Sequence, residues 1–141
     1  MRFITVSAVL VACLLGVQSE AAVRLTCTLK PSSPHAGDLD RYVGRAFVVE
    51  IDAAGADDLQ DGAVHRARIH SEKAGACDAV ASWHGNHNDV DVAANSAKGD
   101  LCQVDEINVS VDADLVGSAN VFVKTARGSL DSIDENPYYC R

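Results

Sequence analysis

The stretch ASWHGNHNDVDV, residues 81–92, holds the side chains with the greatest chemical reach. His84 and His87 stand three apart, Asp89 and Asp91 follow, and Trp83, the chain's one tryptophan, precedes them. Two imidazoles and a nearby carboxylate can ligate Zn²⁺ or Cu²⁺, and the same groups can pass a proton. Gly85-Asn86 suits a two-residue II′ turn, because glycine supplies the positive φ of the first central position. That turn predicts a hairpin with His84 opposite His87, Trp83 opposite Asn88, Ser82 opposite Asp89 and Ala81 opposite Val90. Ala81, Trp83, Val90 and Val92 then share one face, and Ser82, His84, His87, Asp89 and Asp91 share the other. The two histidines would stand about 5 Å apart at Cβ. The alternative metal set is therefore His84, His87 and Asp89, completed by His35, His65 or His70. The competing explanation is a solvated hairpin tip with polar outer residues and no cofactor. Paired histidines that resist joint protonation would make a pH-responsive patch, a milder form of the metal idea.

The elements that must position these residues are strands. Val23, Leu25, Cys27 and Leu29 alternate with polar residues in VRLTCTL. RAFVVEID, INVSVD and NVFVKT alternate in the same way, and AVHRARIH does so more weakly, with His65, Ala67 and Ile69 on one side. A period of two marks half-buried strands. Turn-rich pieces such as PSSPHAGD, DAAGADDLQDG and ADLVGS separate them. Helix is scarce. Residues 37–46 predict one short helix with Asp38 as cap and Leu39, Tyr42 and Val43 facing the core. Residues 70–81 offer another turn or two. The expected fold is mainly β, an antiparallel sandwich or barrel-like sheet with at most one or two short helices and two disulfides. Aromatic residues are 5% of the chain, so Val, Ala, Ile and Leu must build most of the core.

The N-terminus reads as a secretory signal. Met1-Arg2 is followed by the apolar run FITVSAVLVACLLGV and then by small residues, with cleavage expected after Ala21. Residues 22–141 then form one domain. No later stretch is apolar enough to span a bilayer. Cys13 leaves with the signal, and Cys27, Cys77, Cys102 and Cys140 remain. Four cysteines in a secreted chain imply two disulfides with three possible connectivities. Cys27–Cys140, which ties the ends, and Cys77–Cys102 are the expected pairs.

The formal charge is −8, and loss of Arg2 and Glu20 with the signal leaves it there. An acidic, solvated surface holds phosphate poorly, so nucleic acid and anionic membranes are not expected as partners. Asn108-Val109-Ser110 is an N-glycosylation sequon. Lys98-Gly99-Asp100, an adhesion-like tripeptide, lies in the expected Cys77–Cys102 loop and is read as an ordinary turn, since a tripeptide occurs easily by chance. The chain contains no G-x-S-x-G, P-loop or G-x-G-x-x-G.

Two resemblances follow. With Cys140 penultimate, and Glu50, Arg66, Arg68 and His84 in a base–arginine–acid order, the chain resembles the small guanyl-specific ribonucleases of fungi and bacteria. That likeness implies Glu50 as base, Arg66 as phosphate partner and His84 as acid; the Cys77/Cys102 pair lies outside the family pattern. The signal, mature size, four cysteines and β patterning together resemble the small secreted cysteine-containing effector proteins of filamentous fungi. This second likeness implies an extracellular or host-delivered module that acts by binding a protein. The leading expectation is thus a secreted non-enzymatic interaction protein. A ribonuclease-like hydrolase, or its inactive relative, and a metal- or pH-responsive surface protein are the alternatives.

Overall fold

The computed structural model describes residues 22–95, 102–132 and 135–141. The expected signal segment and Lys98-Gly99-Asp100 lie outside these residues. In chain order the elements are β1 (Val23–Leu29), α1 (Ala36–Tyr42), β2 (Ala46–Ile51), α2 (Ala56–Leu59), β3 (Val64–Ser71) and β4 (Gly75–His84). They continue with β5 (Asp89–Asn95), β6 (Glu106–Asp112), β7 (Gly117–Thr125), β8 (Gly128–Asp131) and β9 (Tyr138–Cys140). Every strand pair is antiparallel, in the spatial order β6-β5-β4-β3-β2-β1-β9-β7, and β6 pairs with β7 to close the ring. The result is a closed eight-stranded barrel. β8 lies end to end with β9 along β7, pairing with Phe122–Thr125 while β9 pairs with Gly117–Ala119. Of the two expected architectures the barrel is realised, and closure removes the free sheet edges that a sandwich leaves.

The alternation read from the sequence explains why the strands close in this way. Every second residue is buried along β6, and the same alternation holds over residues 23–27 of β1 and 119–123 of β7. Eight staves leave an interior just wide enough for side chains to fill. Leu25, Phe47, Val49, Ile51, Ile69, Val92, Ile107, Val109 and Val121 fill it, and each such side chain contributes about 1.5–3 kcal/mol by leaving water. Phe47 and Tyr138 meet edge to face at 4.9 Å between ring centroids. The Tyr138 hydroxyl donates to the Gly44 carbonyl at 2.9 Å.

The helices are short and differ in detail from the expectation. α1 covers residues 37–42 of the expected span and buries Leu39, Val43 is buried at its C-cap, and Tyr42 packs partly against the core. Asp38 lies in its first turn, whereas His35 occupies the N-cap position; its ring caps no backbone amide and instead meets Glu135 Oε1 at 2.7 Å through Nδ1. The turn of helix expected within residues 70–81 is instead the β3–β4 hairpin. Gly75, at φ 82°, begins β4, and Cys77, Ala79 and Ala81 point inward at alternate positions. Alanine is the strongest helix former, but intrinsic propensity is a weak prior, and strand partners on both sides override it. The second helix is α2, in a stretch that reads as turns.

Both disulfides join as expected, Cys27–Cys140 and Cys77–Cys102. Cys27 stands directly opposite Cys140 in the β1–β9 ladder, so the bond sits on the short stave that completes the ring.

Candidate functional site

The outer wall over β4, β5, β6 and β7 carries mostly small side chains, polar and apolar, at its outward positions. Val80, Ser82 and His84 come from β4, Asp91 and Ala93 from β5, Asn108 and Ser110 from β6, and Ser118 and Asn120 from β7. Together with Asn136 they line a shallow hollow of about 340 Å³. The hollow exists because these strands spend their bulk inward, on Val90, Val92, Val109, Val111 and Val121, and keep Ser, Ala and Asn outward.

The hairpin that places His84 differs in register from the sequence expectation. Its loop is four residues long, Gly85, Asn86, His87 and Asn88. The His87 amide donates to the His84 carbonyl at 3.0 Å, and Asn88 takes φ 57°. Asparagine tolerates this left-handed conformation, so it can end the turn where glycine is absent. His84 therefore lies opposite Asp89, Trp83 opposite Val90, Ser82 opposite Asp91 and Ala81 opposite Val92. The pairing is displaced by two residues, which leaves every strand side chain on its expected face. His87 is lifted off the ladder into the exposed loop, so the histidine pair does not form across the strands.

A different set assembles in its place. Ligand atoms of His84, Asp89 and Asp91 all lie within 4.8 Å of one another. His84 Nδ1 is 2.7 Å from Asp91 Oδ2, a diagonal contact from β4 to β5. Ser110 Oγ, on β6, donates to Asp89 Oδ2 at 3.0 Å. Asp89 Oδ1 is buried and accepts no hydrogen bond within the described residues. Asp91 and Ser110 are the members that the expected ligand set lacks. The signal that identifies them is the loop length: four turn residues, with Asn88 left-handed, bring Asp89 level with His84.

The other candidate residues are placed as follows. Glu50 stands directly opposite Arg68 on β3, and its carboxylate lies 3.6 Å from Arg24 and 3.4 Å from His70. Arg68 in turn lies 3.5 Å from Asp78. Alternating charge thus runs across β1 to β4 on an exposed face, where each such pair contributes little. Arg66 is level with Val80, one diagonal step from the Glu50–Arg68 row. His84 lies six residues beyond Asp78 along β4, about 20 Å at strand rise. The barrel therefore does not bring Glu50, Arg66 and His84 together, although their chain order suggested it. Asn108 sits midway along β6 and faces the hollow, so a glycan on this sequon would fill it.

Away from the hollow, His65 is held by two acceptors. Its Nδ1 lies 3.1 Å from the Asp52 carbonyl and its Nε2 3.2 Å from Asp61 Oδ1. Burial opposes protonation of this ring, but both nitrogens face acceptors, and only the imidazolium carries two N–H groups. The balance raises the His65 pKa above its ordinary 6.5. The Asp61 carboxyl is lowered from its ordinary 3.8, chiefly by the Ala63 amide that donates to it at 2.7 Å and further by His65. Among the described residues no helix is long and apolar enough to cross a membrane.

Compared with known proteins, the chain matches no protein-family model, no curated protein and no solved structure, so the geometry above is what a functional reading must rest on.

Proposed function

We propose that the protein is a secreted, effector-like binding module without enzymatic activity, and that the hollow over β4–β7 receives a host or extracellular protein. The observation that carries this reading is the hollow itself, an open concavity on rigid strands in which Ser and Asn side chains stand around an apolar floor that includes the exposed Val80 and Ala93. Strand-borne Ser and Asn side chains lose little entropy on binding and offer both hydrogen-bond signs to a partner's backbone or polar side chains. The barrel interior is packed with aliphatic side chains, so recognition belongs to the outside. Two disulfides fit an oxidising compartment. A charge of −8 favours a partner with a basic patch, met quickly at low salt. A hydrolase would need its base, arginine and acid within reach of one substrate, and the strand positions of Glu50, Arg66 and His84 do not provide that.

The test is a comparison of the wild type with Asn120→Trp, which fills the hollow from the outer face of β7. The oxidised mature protein is immobilised and exposed to host extracellular fluid, and each retained protein is then purified and titrated. A genuine partner binds the wild type and is weakened at least about tenfold by the indole, the loss of roughly 1.4 kcal/mol. Equal affinity for both forms refutes the hollow as the recognition face.

A further inference from the structure

We infer that His84, Asp89 and Asp91 form a binding site for one first-row divalent cation, with Zn²⁺ as the ion best matched to the ligand set. The inference is independent of whether a protein partner occupies the hollow. Zinc takes nitrogen at about 2.0–2.1 Å and carboxylate oxygen at about 2.0–2.2 Å, so ligand atoms around a tetrahedral ion stand about 3.3 Å apart. The three side chains present ligand atoms within 4.8 Å of one another, and the His84–Asp91 contact of 2.7 Å must open by about half an ångström to admit an ion. Those are side-chain rotations, not backbone movements. His84 and Asp89 face each other directly across the β4–β5 ladder, and Asp91 is on the same side two residues on.

Two further features set this cluster apart from a chance gathering of surface charge. Among the described residues no donor reaches the buried Asp89 Oδ1, which is costly for a carboxylate oxygen and is remedied by a cation. Ser110 holds the other oxygen of the same carboxylate at 3.0 Å, the kind of outer partner that orients a metal ligand. One imidazole nitrogen with two carboxylates favours Zn²⁺ over Ca²⁺ and Mg²⁺, which prefer all-oxygen shells, and over Cu⁺, which prefers sulfur. The bound form of His84 is the neutral imidazole with its one N–H on the nitrogen that does not ligate, so an imidazolium releases one proton to solvent as the ion enters and a neutral ring only changes tautomer. Three protein ligands leave coordination positions open. Because His84 and Asp91 also line the hollow, those positions open toward it.

The experiment is calorimetric titration of the oxidised mature chain with ZnCl₂ near neutral pH. We expect one saturable event per chain. His84→Ala and Asp91→Asn each weaken it at least about tenfold, and Ser110→Ala weakens it about 10–100-fold through Asp89. His87→Ala leaves it within about twofold, which separates this site from one built on a histidine pair. Thermal unfolding verifies that each variant is folded. The visible spectrum of the Co²⁺ form of the wild type, altered in near-isosteric Asp91→Asn, decides the matter if His84→Ala does not fold. Absence of a saturable event in the wild type, unchanged affinity in both His84→Ala and Asp91→Asn, or loss of binding in His87→Ala each overturns the site.

Discussion

Removing the Cys27–Cys140 bond should be the most damaging single perturbation of this barrel. The bond links residues 113 apart, whereas Cys77–Cys102 links residues 25 apart. Loop-closure entropy in the unfolded chain then assigns at most about 4.8 kcal/mol to the long ring and about 3.5 kcal/mol to the short one. The structure adds a reason for the same order. β9 has three residues, pairs with β1 on one side and β7 on the other, and is the stave that joins them. Its end is pinned by reciprocal bonds between Thr26 and Arg141, at 2.9 and 3.2 Å, beside the disulfide. Cys27→Ala/Cys140→Ala should therefore lower the thermal midpoint by roughly 15–20 °C, and Cys77→Ala/Cys102→Ala by roughly 10–15 °C. Urea unfolding of both double variants measures the free energies directly. Native-state hydrogen exchange should show the Thr26 and Arg141 amides opening first in the former variant, since the seam is where the ring parts. A cost below about 1 kcal/mol for the long ring, or a larger cost for the short one, would refute both the entropic ordering and the role given to β9.

Three further outcomes are expected. Tyr138→Phe strands the buried Gly44 carbonyl and should cost about 1–3 kcal/mol in urea unfolding, with the Phe47 contact kept. Gly117→Ala places a Cβ 1.9 Å from the Ser110 carbonyl oxygen and 2.7 Å from Val111 Cα, so β6 and β7 must separate; a loss of about 3 kcal/mol is expected, and a fully stable variant would contradict the strand approach. For His65 the folded pKa lies above 6.5, so its contribution is complete below 6.5 and is lost as pH rises through the raised value. Asp61 acts with the opposite sign, contributing above 3.8 and losing its share as pH falls through its lowered value. Thermal midpoints of the wild type and His65→Ala across this range should therefore converge on the alkaline side.

The candidate site shows where legibility in the sequence stops. Ser82, His84, Asp89 and Asp91 fall on the outer face because polar and apolar residues alternate through ASWH and DVDV, and alternation is a local property. Which of them meet depends on the loop between the strands. A two-residue Gly-Asn turn and a four-residue Gly-Asn-His-Asn turn differ by two residues of register, and both keep Val90 and Val92 inward. Face parity therefore does not distinguish a His84–His87 pair from the observed His84–Asp89–Asp91 set. The same limit separates Glu50 and Arg66 from His84, whose order along the chain says nothing of the strand distance between them.

The sequence by itself determined the strand character, the inward and outward faces, the aliphatic core and the even set of four cysteines after the expected signal. Each follows from composition or from a period of two, which needs no knowledge of neighbours. The tertiary structure decided the closure of the sheet into a barrel, the strand form of residues 75–81, the cysteine partners among three connectivities and the membership of the His84–Asp89–Asp91 cluster. These depend on which strands lie side by side and in what register, and a displacement by two residues changes every partner while moving no side chain to the other face.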